Sequence, residues 1–350
     1  MVLKAEYRAL RNIVLPDLLG PMSRFMELYN LGPINLLIGP NRSGKTIFLK
    51  ALYSALRTIE LYRRGKNIDS DKEILFKKLY WAFQTDKIGN IVRRPDQGSL
   101  TFSMTEDDGG TFSYSFSSSA EKQIVKVSNS CDKRDTNSVF LPSKEVLSLL
   151  DTIVHEREVR QTFGFDDTYY DLAKALQPTS KGKNLKVFSD MRLRLEDAIE
   201  GRLIYSKNDG KWHFKQGNTE FDISLTSEGT KKIAIFDTLL GNHFLSKKST
   251  VFIDEPEAGL HPGMLMEFLD IIAILAKKCD MQFFIASHSY FVIKKLYVIA
   301  QTFGLSIPVI SFGGSEETDD RVAVSNLQSG MPDNPIINES IKLYREEMSL

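Results

Sequence analysis

An eight-residue segment near the amino terminus combines two glycines, a lysine and a threonine at a spacing that serves phosphate binding. It reads Gly39, Pro40, Asn41, Arg42, Ser43, Gly44, Lys45, Thr46 and matches G-x-x-x-x-G-K-[ST]. The glycines let the main chain bend around a phosphate, so that backbone amides converge on its oxygens. Lys45 can reach the β- and γ-phosphates of a nucleotide, and the Thr46 hydroxyl can ligate Mg²⁺.

The elements on either side decide between a phosphate loop and a chance match. The apolar run Ile34–Ile38 predicts a strand before the segment. After it, apolar side chains recur at helical spacing at Leu49, Leu52, Leu56 and Ile59. A strand, a glycine loop and a helix in that order are the context that the motif requires. We therefore predict that the chain binds a nucleoside triphosphate together with Mg²⁺.

A second segment places two carboxylates at the end of an apolar run. The run Val251–Ile253 predicts a buried strand that ends in Asp254 and Glu255. Asp254 can hold Mg²⁺, directly or through water, and Glu255 can take a proton from the water that attacks the γ-phosphate. A solvated turn is the alternative for such a pair taken alone. The phosphate loop upstream and residues 257–262 downstream favour the catalytic interpretation.

Ser227 and Gly229 stand at the predicted start of a helix whose core face is Ile233, Phe236 and Leu240. A serine at this position is typical of a helix N-cap, which is the structural interpretation. Alternatively, its hydroxyl and the amides beside Gly229, at the positive end of the helix, present hydrogen-bond donors to a phosphate. The sequence leaves both interpretations open, and we count the two residues among the candidate nucleotide ligands.

His288 follows the apolar run Phe283–Ala286, which is the next predicted strand after Asp254 and Glu255. A single histidine at the end of a strand is most often structural. At the carboxyl end of a strand in a nucleotide-binding sheet, it can instead sense the γ-phosphate. We therefore predict His288 and Glu255 as the catalytic side chains.

Composition excludes several classes of protein. Lys plus Arg equal Asp plus Glu, at 45 each in 350 residues, so any contact with nucleic acid needs a local basic patch. Cys131 and Cys279 lack the spacing of a disulfide framework or a zinc site. The longest apolar stretch, at 271–276, is too short to span a bilayer, and the amino terminus lacks a signal-peptide pattern. We expect a cytoplasmic protein with no membrane contact.

The nucleotide motifs lie at both ends of the chain, with different material between them. We predict that residues 1–66 and 221–350 form one core and that residues 67–220 form an inserted lobe of β-hairpins and helices. The elements predicted for the lobe are a helix from Asp71 to Phe83, a hairpin that joins 100–104 to 112–116, a strand at 139–141, a helix that begins near Lys144, and a hairpin that joins 203–205 to 212–214.

The last helix of the chain has a clear start signal. Asn334 and Pro335 supply a cap followed by proline at the first helical position. Ile337, Ile341 and Tyr344 recur at helical spacing, so we expect all three to face the core.

Taken in order, these motifs resemble an ABC-type ATPase head of the group that includes the SMC, RecF and OLD-like ATPases. The runs 253–262 and 140–148 are close to the forms found in OLD-like prokaryotic ATPases. The resemblance covers both ends of the chain, and residues 67–220 only loosely. It implies an α/β P-loop NTPase fold (an ABC-ATPase head) with a mixed sheet, an antiparallel β subdomain and a helical insert.

The chain also departs from that group. Glu228 interrupts the usual Ser-Gly-Gly order of the signature. At the position of the Q-loop glutamine the chain has Ser143, Lys144 and Glu145, and the candidates for that role are Glu145 and Gln84. No heptad run predicts long coiled-coil arms. The segment after the histidine is expected to be too short for the Toprim nuclease domain of full OLD proteins.

The resemblance implies a homodimer or higher oligomer, in which Ser227 and Gly229 of one subunit close on the ATP held by the phosphate loop of another. Hydrolysis of ATP would remove the preference for the closed state. A separately encoded effector protein would respond to this change of state in antiviral defence or DNA surveillance. A RecF- or SMC-like repair ATPase that acts directly on DNA stays open, and DNA or RNA are further candidate partners. Residues 257–262 and the strand-rich insert before Lys144 disfavour a transporter ATPase. A candidate basic patch, with a solvated surface as the alternative, comprises Lys181, Lys183, Lys186, Arg192 and Arg194.

Overall fold

The computed structural model describes residues 1–8, 10, 26–28, 30–92, 99–177, 184–206, 208–312 and 322–350. Its strands are β1 (Val2–Arg8), β2 (Met26–Leu28), β3 (Ile34–Ile38), β4 (Ser99–Glu106), β5 (Thr111–Ser117), β6 (Lys126–Asn129), β7 (Ser138–Leu141), β8 (Arg202–Ser206), β9 (Lys211–Gln216), β10 (Thr219–Asp222), β11 (Thr250–Asp254), β12 (Gln282–Ala286), β13 (Pro308–Phe312) and β14 (Val322–Asn326). Its helices are α1 (Lys45–Leu61), α2 (Asp71–Phe83), α3 (Leu150–His155), α4 (Asp167–Ala175), α5 (Lys186–Ala198), α6 (Glu228–Gly241), α7 (Pro262–Cys279), α8 (Tyr290–Phe303) and α9 (Pro335–Met348).

The chain folds into two compact units, and the boundary between them passes through β12. The first unit comprises Met1–Asp135 and Phe284–Leu350, and the second comprises Thr136–Phe283. The first unit contains an antiparallel sheet in the order β2-β1-β4-β5-β6. It also contains a mixed set of strands in the order β14-β13-β3-β12, in which β13 runs parallel to β3 and antiparallel to β14. This arrangement is an α/β fold with a mixed sheet, as predicted.

The first unit buries the strand and helix that flank the phosphate loop. Every residue of β3 is buried, as its uninterrupted apolar run predicts. On α1, Phe48 lies between two rings, with centroid distances of 5.4 Å to Tyr7 and 6.3 Å to Phe312. Such buried aromatic contacts fix α1 against both sets of strands. The loop between β3 and α1 is thereby held at both of its ends.

The second unit combines a parallel strand pair with a small antiparallel sheet. Strands β7 and β11 run parallel, and the stacked rings of Phe140 and Phe252 lie 6.0 Å apart. Strands β8, β9 and β10 form the antiparallel sheet. The predicted core face of α6 is buried, and Phe236 of that face meets Phe268 of α7 edge-on at 5.2 Å. Helix α6 is therefore fixed against α7 on one side.

Local sequence signals account for several elements. Helix α2 begins and ends as predicted, because Ser70 and Glu73 form a capping box at its start. Both predicted hairpins form, with Phe102 opposite Tyr114 in one and Tyr205 opposite Trp212 in the other. Alternation of apolar and polar residues across a turn is thus sufficient to place these strands.

Two structural predictions are wrong. The helix expected from Lys144 begins at Leu150, because Glu145 accepts a hydrogen bond from the Ser148 amide at 2.8 Å and a short 3₁₀ turn follows. Helix α9 starts at its predicted cap, but only Ile337 is buried, while Ile341 is 44% and Tyr344 61% exposed. Beyond its first turn, the described part of the chain offers these side chains no core to enter.

The helices show no membrane span. Within the described ranges, none has both the length and the hydropathy needed to cross a bilayer.

Candidate functional site

The phosphate loop connects β3 to α1 through two glycines in backbone conformations that side chains disfavour. Gly39 has φ 145° and Gly44 has φ 105°. A Cβ at Gly39 would also stand less than 3.0 Å from the carbonyl oxygen of Phe312. Gly44 is the residue before α1, and no side chain in the described structure caps that helix start. The first amides of α1 are therefore available to an anion.

Two side chains of the loop support the phosphate-binding interpretation. Lys45 is buried, and its ammonium donates to the carbonyl oxygens of Gly39 at 2.8 Å and Pro40 at 2.9 Å. Ser43 Oγ is buried and has no hydrogen-bond partner within the described ranges. A buried hydroxyl without a partner costs free energy, and a phosphate oxygen would satisfy it. The loop therefore fits the triphosphate group predicted from the motif.

His288 lies in the same unit as this loop. Ser287, the residue before it, donates its amide to Leu37 O at 3.0 Å, so the carboxyl ends of β12 and β3 are adjacent. His288 itself is exposed directly after β12. The structure thus brings the predicted histidine to the sheet edge from which the phosphate loop departs.

Asp254 and Glu255 close β11 in the second unit. The strand is buried up to Ile253, and both carboxylate residues are half-buried. Glu255 has φ 50°, a left-handed conformation that is uncommon outside glycine. Its carbonyl oxygen accepts a hydrogen bond from the Ala258 amide at 3.0 Å and another from the Lys232 ammonium at 3.0 Å. The main chain of Glu255 is therefore held at a defined angle.

Ser227 and Gly229 both have a structural role at the start of α6. Ser227 Oγ accepts the Thr230 amide at 3.2 Å and lies 2.8 Å from the Thr230 hydroxyl, which is the N-cap geometry. A Cβ at Gly229 would stand less than 3.0 Å from Gly259 O. The helix start thus packs on the loop that follows Glu255. The phosphate-binding role of the two residues stays a prediction.

Two buried lysines on α6, Lys231 and Lys232, were not predicted from the sequence. Lys231 donates to Ser148 Oγ at 2.9 Å and lies 4.0 Å from Glu145 Oε2, while Lys232 donates to Glu255 O and Ala258 O. Burial lowers the pKa of Lys232. No periodicity distinguishes such lysines from solvent-facing ones. The only available signal was a charged pair directly before the apolar core face of a helix.

Both arginines of the candidate basic patch are paired with carboxylates, which counts against the patch. Arg192 Nε donates to Asp237 Oδ1 at 2.8 Å, and Arg194 Nε donates to Glu267 Oε1 at 2.7 Å. These carboxylates neutralise both guanidinium groups, so the arginines serve the packing of α5. Lys181 and Lys183 lie outside the described residues, and Lys186 is exposed at the start of α5.

A protein-only metal centre is not evident. No group of three or more His, Cys, Asp or Glu side chains is arranged to hold a metal among the described residues. Thr46 and Asp254, the predicted Mg²⁺ ligands, lie in different units. The candidate residues divide into the phosphate loop with His288 in the first unit, and the two carboxylates with Ser227 and Gly229 in the second.

Comparisons with known proteins give one family match. The model of the family described as "AAA domain, putative AbiEii toxin, Type IV TA system" matches residues 34–294. That range contains the phosphate loop, the two carboxylates, Ser227, Gly229 and His288. No curated protein matches the chain.

Among solved structures, the chain is similar to heads of SMC proteins. An SMC head bound to the C-winged helix domain of ScpA has a TM-score of 0.54 and 12% identity, with 94% of this chain and 98% of that chain covered. The SMC head domain from Thermotoga maritima gives 0.46 and 12%, with 93% and 98% covered. An SMC head with an extended coiled coil, bound to the C-terminal domain of ScpA derived from Pyrococcus furiosus, gives 0.47 and 13%, with 99% of each chain covered. The first likeness shows the fold of an SMC-type P-loop ATPase head.

Proposed function

The chain belongs to the family described as "AAA domain, putative AbiEii toxin, Type IV TA system", and on that premise we propose that it binds and hydrolyses ATP as an ABC-type head. The observation that carries this proposal is the phosphate loop. Gly39 and Gly44 have positive φ, Gly39 has no space for a side chain, and the buried Ser43 hydroxyl has no partner within the described ranges. This combination is explained by a bound phosphate group.

We assign one role to each side chain. Lys45 anchors the β- and γ-phosphates, and Thr46 and Asp254 hold Mg²⁺, which would neutralise charge on the phosphate oxygens. Glu255 acts as the general base toward water, because a carboxylate at the end of a buried strand can accept the proton. His288 contacts the γ-phosphate from the end of β12. Residues 1–66 and 221–350 would form the ATPase core around an inserted lobe at 67–220.

We further propose an ATP-dependent homodimer or higher oligomer, with Ser227 and Gly229 acting on the ATP of the opposite subunit. Such an oligomer switches between open and closed states as ATP is bound and hydrolysed. The segment 253–262 supports assignment to the OLD-like group and a cytoplasmic role in prokaryotic antiviral defence, through a separately encoded effector. The alternative is a RecF- or SMC-like ATPase that acts directly on DNA.

The test of ATP hydrolysis compares the wild type with two variants. Lys45→Ala should lose binding of a fluorescent ATP analogue, because the phosphate charge is left unpaired. Glu255→Gln should keep that binding and lose phosphate release in the presence of Mg²⁺. A Glu255→Gln protein that hydrolyses ATP at the wild-type rate would remove the base assignment.

The same variants separate the two biological alternatives. Glu255→Gln with ATP and Lys45→Ala represent the closed and open states, and an effector must distinguish them to respond. Pull-downs from the native host should recover the product of a neighbouring gene in only one of these states. Recovery of no protein in either state, together with strong DNA stimulation of hydrolysis, would favour the DNA-repair alternative.

A further inference from the structure

Lys232 connects α6 to the turn that carries the proposed catalytic base. Its ammonium donates to Glu255 O and to Ala258 O, each at 3.0 Å. The Ala258 amide donates to Glu255 O at 3.0 Å, so the two carbonyls belong to the first and last residues of one tight turn. A single side chain from α6 therefore binds both ends of the turn.

The burial of Lys232 calls for an explanation beyond packing. The residue is 8% exposed, and burial lowers its pKa, while the carboxylates of Glu257, Glu255 and Asp254 favour the charged form. A buried ammonium is costly unless its protons are bound to acceptors. A methionine has similar length and would fill the same space without that cost. The two carbonyl hydrogen bonds are what distinguish lysine here.

These hydrogen bonds act on a strained residue. Glu255 has φ 50°, a left-handed conformation that is unfavourable for a residue other than glycine. Such a conformation persists only where surrounding contacts enforce it. The Glu255 carbonyl accepts from both Lys232 and the Ala258 amide. These two hydrogen bonds fix the orientation of the peptide plane that follows Glu255. The direction in which the Glu255 side chain leaves the main chain is therefore fixed as well.

We propose that Lys232 is a positioning residue for ATP hydrolysis, which holds the Glu255 backbone in the conformation that aims its carboxylate at the attacking water. The proposal rests on the proposed function of Glu255 as the base. Lys232 lies on α6 shortly after Ser227 and Gly229. A displacement of the helix start by the ATP of another subunit would therefore reach the turn that carries the base through this side chain, in addition to the direct contact between Gly229 and Gly259. Engagement of Ser227 and activation of Glu255 are thereby coupled.

The neighbouring lysine provides a matched control. Lys231 is equally buried on the same turn of α6, but it donates to Ser148 Oγ and lies near Glu145. Within the described ranges, its hydrogen bond and its ion pair both go to residues outside the turn at 255–258. Lys231→Met and Lys232→Met therefore remove the same charge from the same helix, and only Lys232→Met removes the hydrogen bonds to the base-bearing turn.

The kinetic experiment measures kcat, affinity for a fluorescent ATP analogue and Tm for Lys232→Met, Lys232→Arg and Lys231→Met. Lys232→Met should lower kcat at least about tenfold, as misplacement of a catalytic group does, and leave ATP affinity and Tm close to those of Lys231→Met. Lys232→Arg should restore part of the rate, because a guanidinium can donate to both carbonyls. The residual single-turnover rate of Glu255→Gln should not fall further when Lys232→Met is added, since both changes act on one group.

Hydrogen exchange of the Ala258 amide supplies a test that needs no turnover. Lys232→Met should accelerate that exchange and Lys231→Met should not, because only the former releases the turn. Unchanged exchange in Lys232→Met, an unchanged kcat, or a further loss of rate in the Glu255→Gln background would overturn the proposal. The wild type could also prove inactive as an ATPase while Lys232→Met still accelerates exchange of the Ala258 amide. That result would support the contact between Lys232 and the turn, and it would contradict only the proposed hydrolysis of ATP.

Discussion

Gly229 in the first turn of α6 packs directly against Gly259 in the loop after Glu255. A Cβ at 229 would stand less than 3.0 Å from the carbonyl oxygen of Gly259, which itself has φ 76°. Two glycines at the crossing let helix start and loop approach more closely than any side chain permits. Gly229 therefore has a packing role that is independent of any bound nucleotide.

Gly229→Ala should destabilise the protein, because the backbone of Gly259 has to move. Overpacking of this kind typically costs about 1–3 kcal/mol, which thermal unfolding would detect as a lower Tm. Gly263→Ala is the control, since Gly263 lies at the start of α7, where a Cβ would be in ordinary contact with the His261 ring, at 3.5 Å. That change should leave Tm unchanged or raise it, because alanine favours a helix. Equal effects of the two substitutions would contradict the packing argument.

Gly39→Ala tests the phosphate loop by comparison with a second glycine, Gly65, as the control. Gly39 and Gly65 both have positive φ. A Cβ at Gly65 would have no atom of the described residues within 4 Å, whereas a Cβ at Gly39 would collide with Phe312. Gly65→Ala should carry the strain of a left-handed alanine, on the order of 1 kcal/mol. Gly39→Ala should cost more stability, because its φ of 145° lies outside that conformation and its Cβ collides with the main chain of Phe312. Only Gly39→Ala should also lose affinity for a fluorescent ATP analogue. Wild-type affinity in Gly39→Ala would show that the loop tolerates a different path.

The carboxylate partner of Arg192 is more deeply buried than the partner of Arg194. We therefore expect substitution of Arg192 to lower the free energy of unfolding more than substitution of Arg194. Asp237 is 2% exposed and burial raises its pKa, which Arg192 opposes. Arg192→Met leaves that carboxylate unpaired and should cost on the order of 3 kcal/mol. Arg194 and Glu267 are each about one-third exposed, so Arg194→Met should cost less than about 1 kcal/mol. Urea unfolding of both variants measures the difference.

A double variant completes the Arg192 test. Arg192→Met with Asp237→Leu removes both charges, so much of the lost stability should return. A double variant as unstable as Arg192→Met would instead assign the loss to the packing of the arginine stem.

The parts of the fold that the sequence predicts correctly depend on neighbours in the chain. The capping box of Ser70 and Glu73, the alternation through Phe102 and Tyr114, and the cap at Asn334 each involve residues that a short window contains. The phosphate loop is of the same kind, since its motif and both flanking elements lie together. Local energetics decide these elements, so one sequence suffices to place them.

The wrong or missed predictions depend on partners far along the chain. Arg192 meets Asp237 across 45 residues, and Lys232 meets Glu255 across 23. Helical periodicity at Ile341 and Tyr344 shows a common face but cannot show whether another element covers it. The left-handed conformation of Glu255 could not be predicted from its residue type either, because a contact with Lys232 of α6 holds its main chain.

The final prediction concerns the proposed composite site between subunits. Ser227→Arg should keep binding of ATP at its own phosphate loop while it blocks closure on the ATP of the partner. Lys45→Ala has the complementary defect. In an equal mixture, each mixed dimer contains one site with both an intact loop and an intact signature. Random assortment then predicts about a quarter of the wild-type rate of ATP hydrolysis.

Ser227 also caps α6. The effect of losing its hydroxyl must therefore be measured separately from the steric block of dimer closure by the arginine side chain. Ser227→Ala removes the hydrogen bond to the Thr230 amide and should cost about 1 kcal/mol of stability, without introducing a bulky side chain between subunits. We expect Ser227→Ala to retain more activity alone than Ser227→Arg. If the mixture of Ser227→Arg and Lys45→Ala stays inactive although mixed dimers are demonstrated, then Ser227 does not act across subunits and the model of a composite site is wrong.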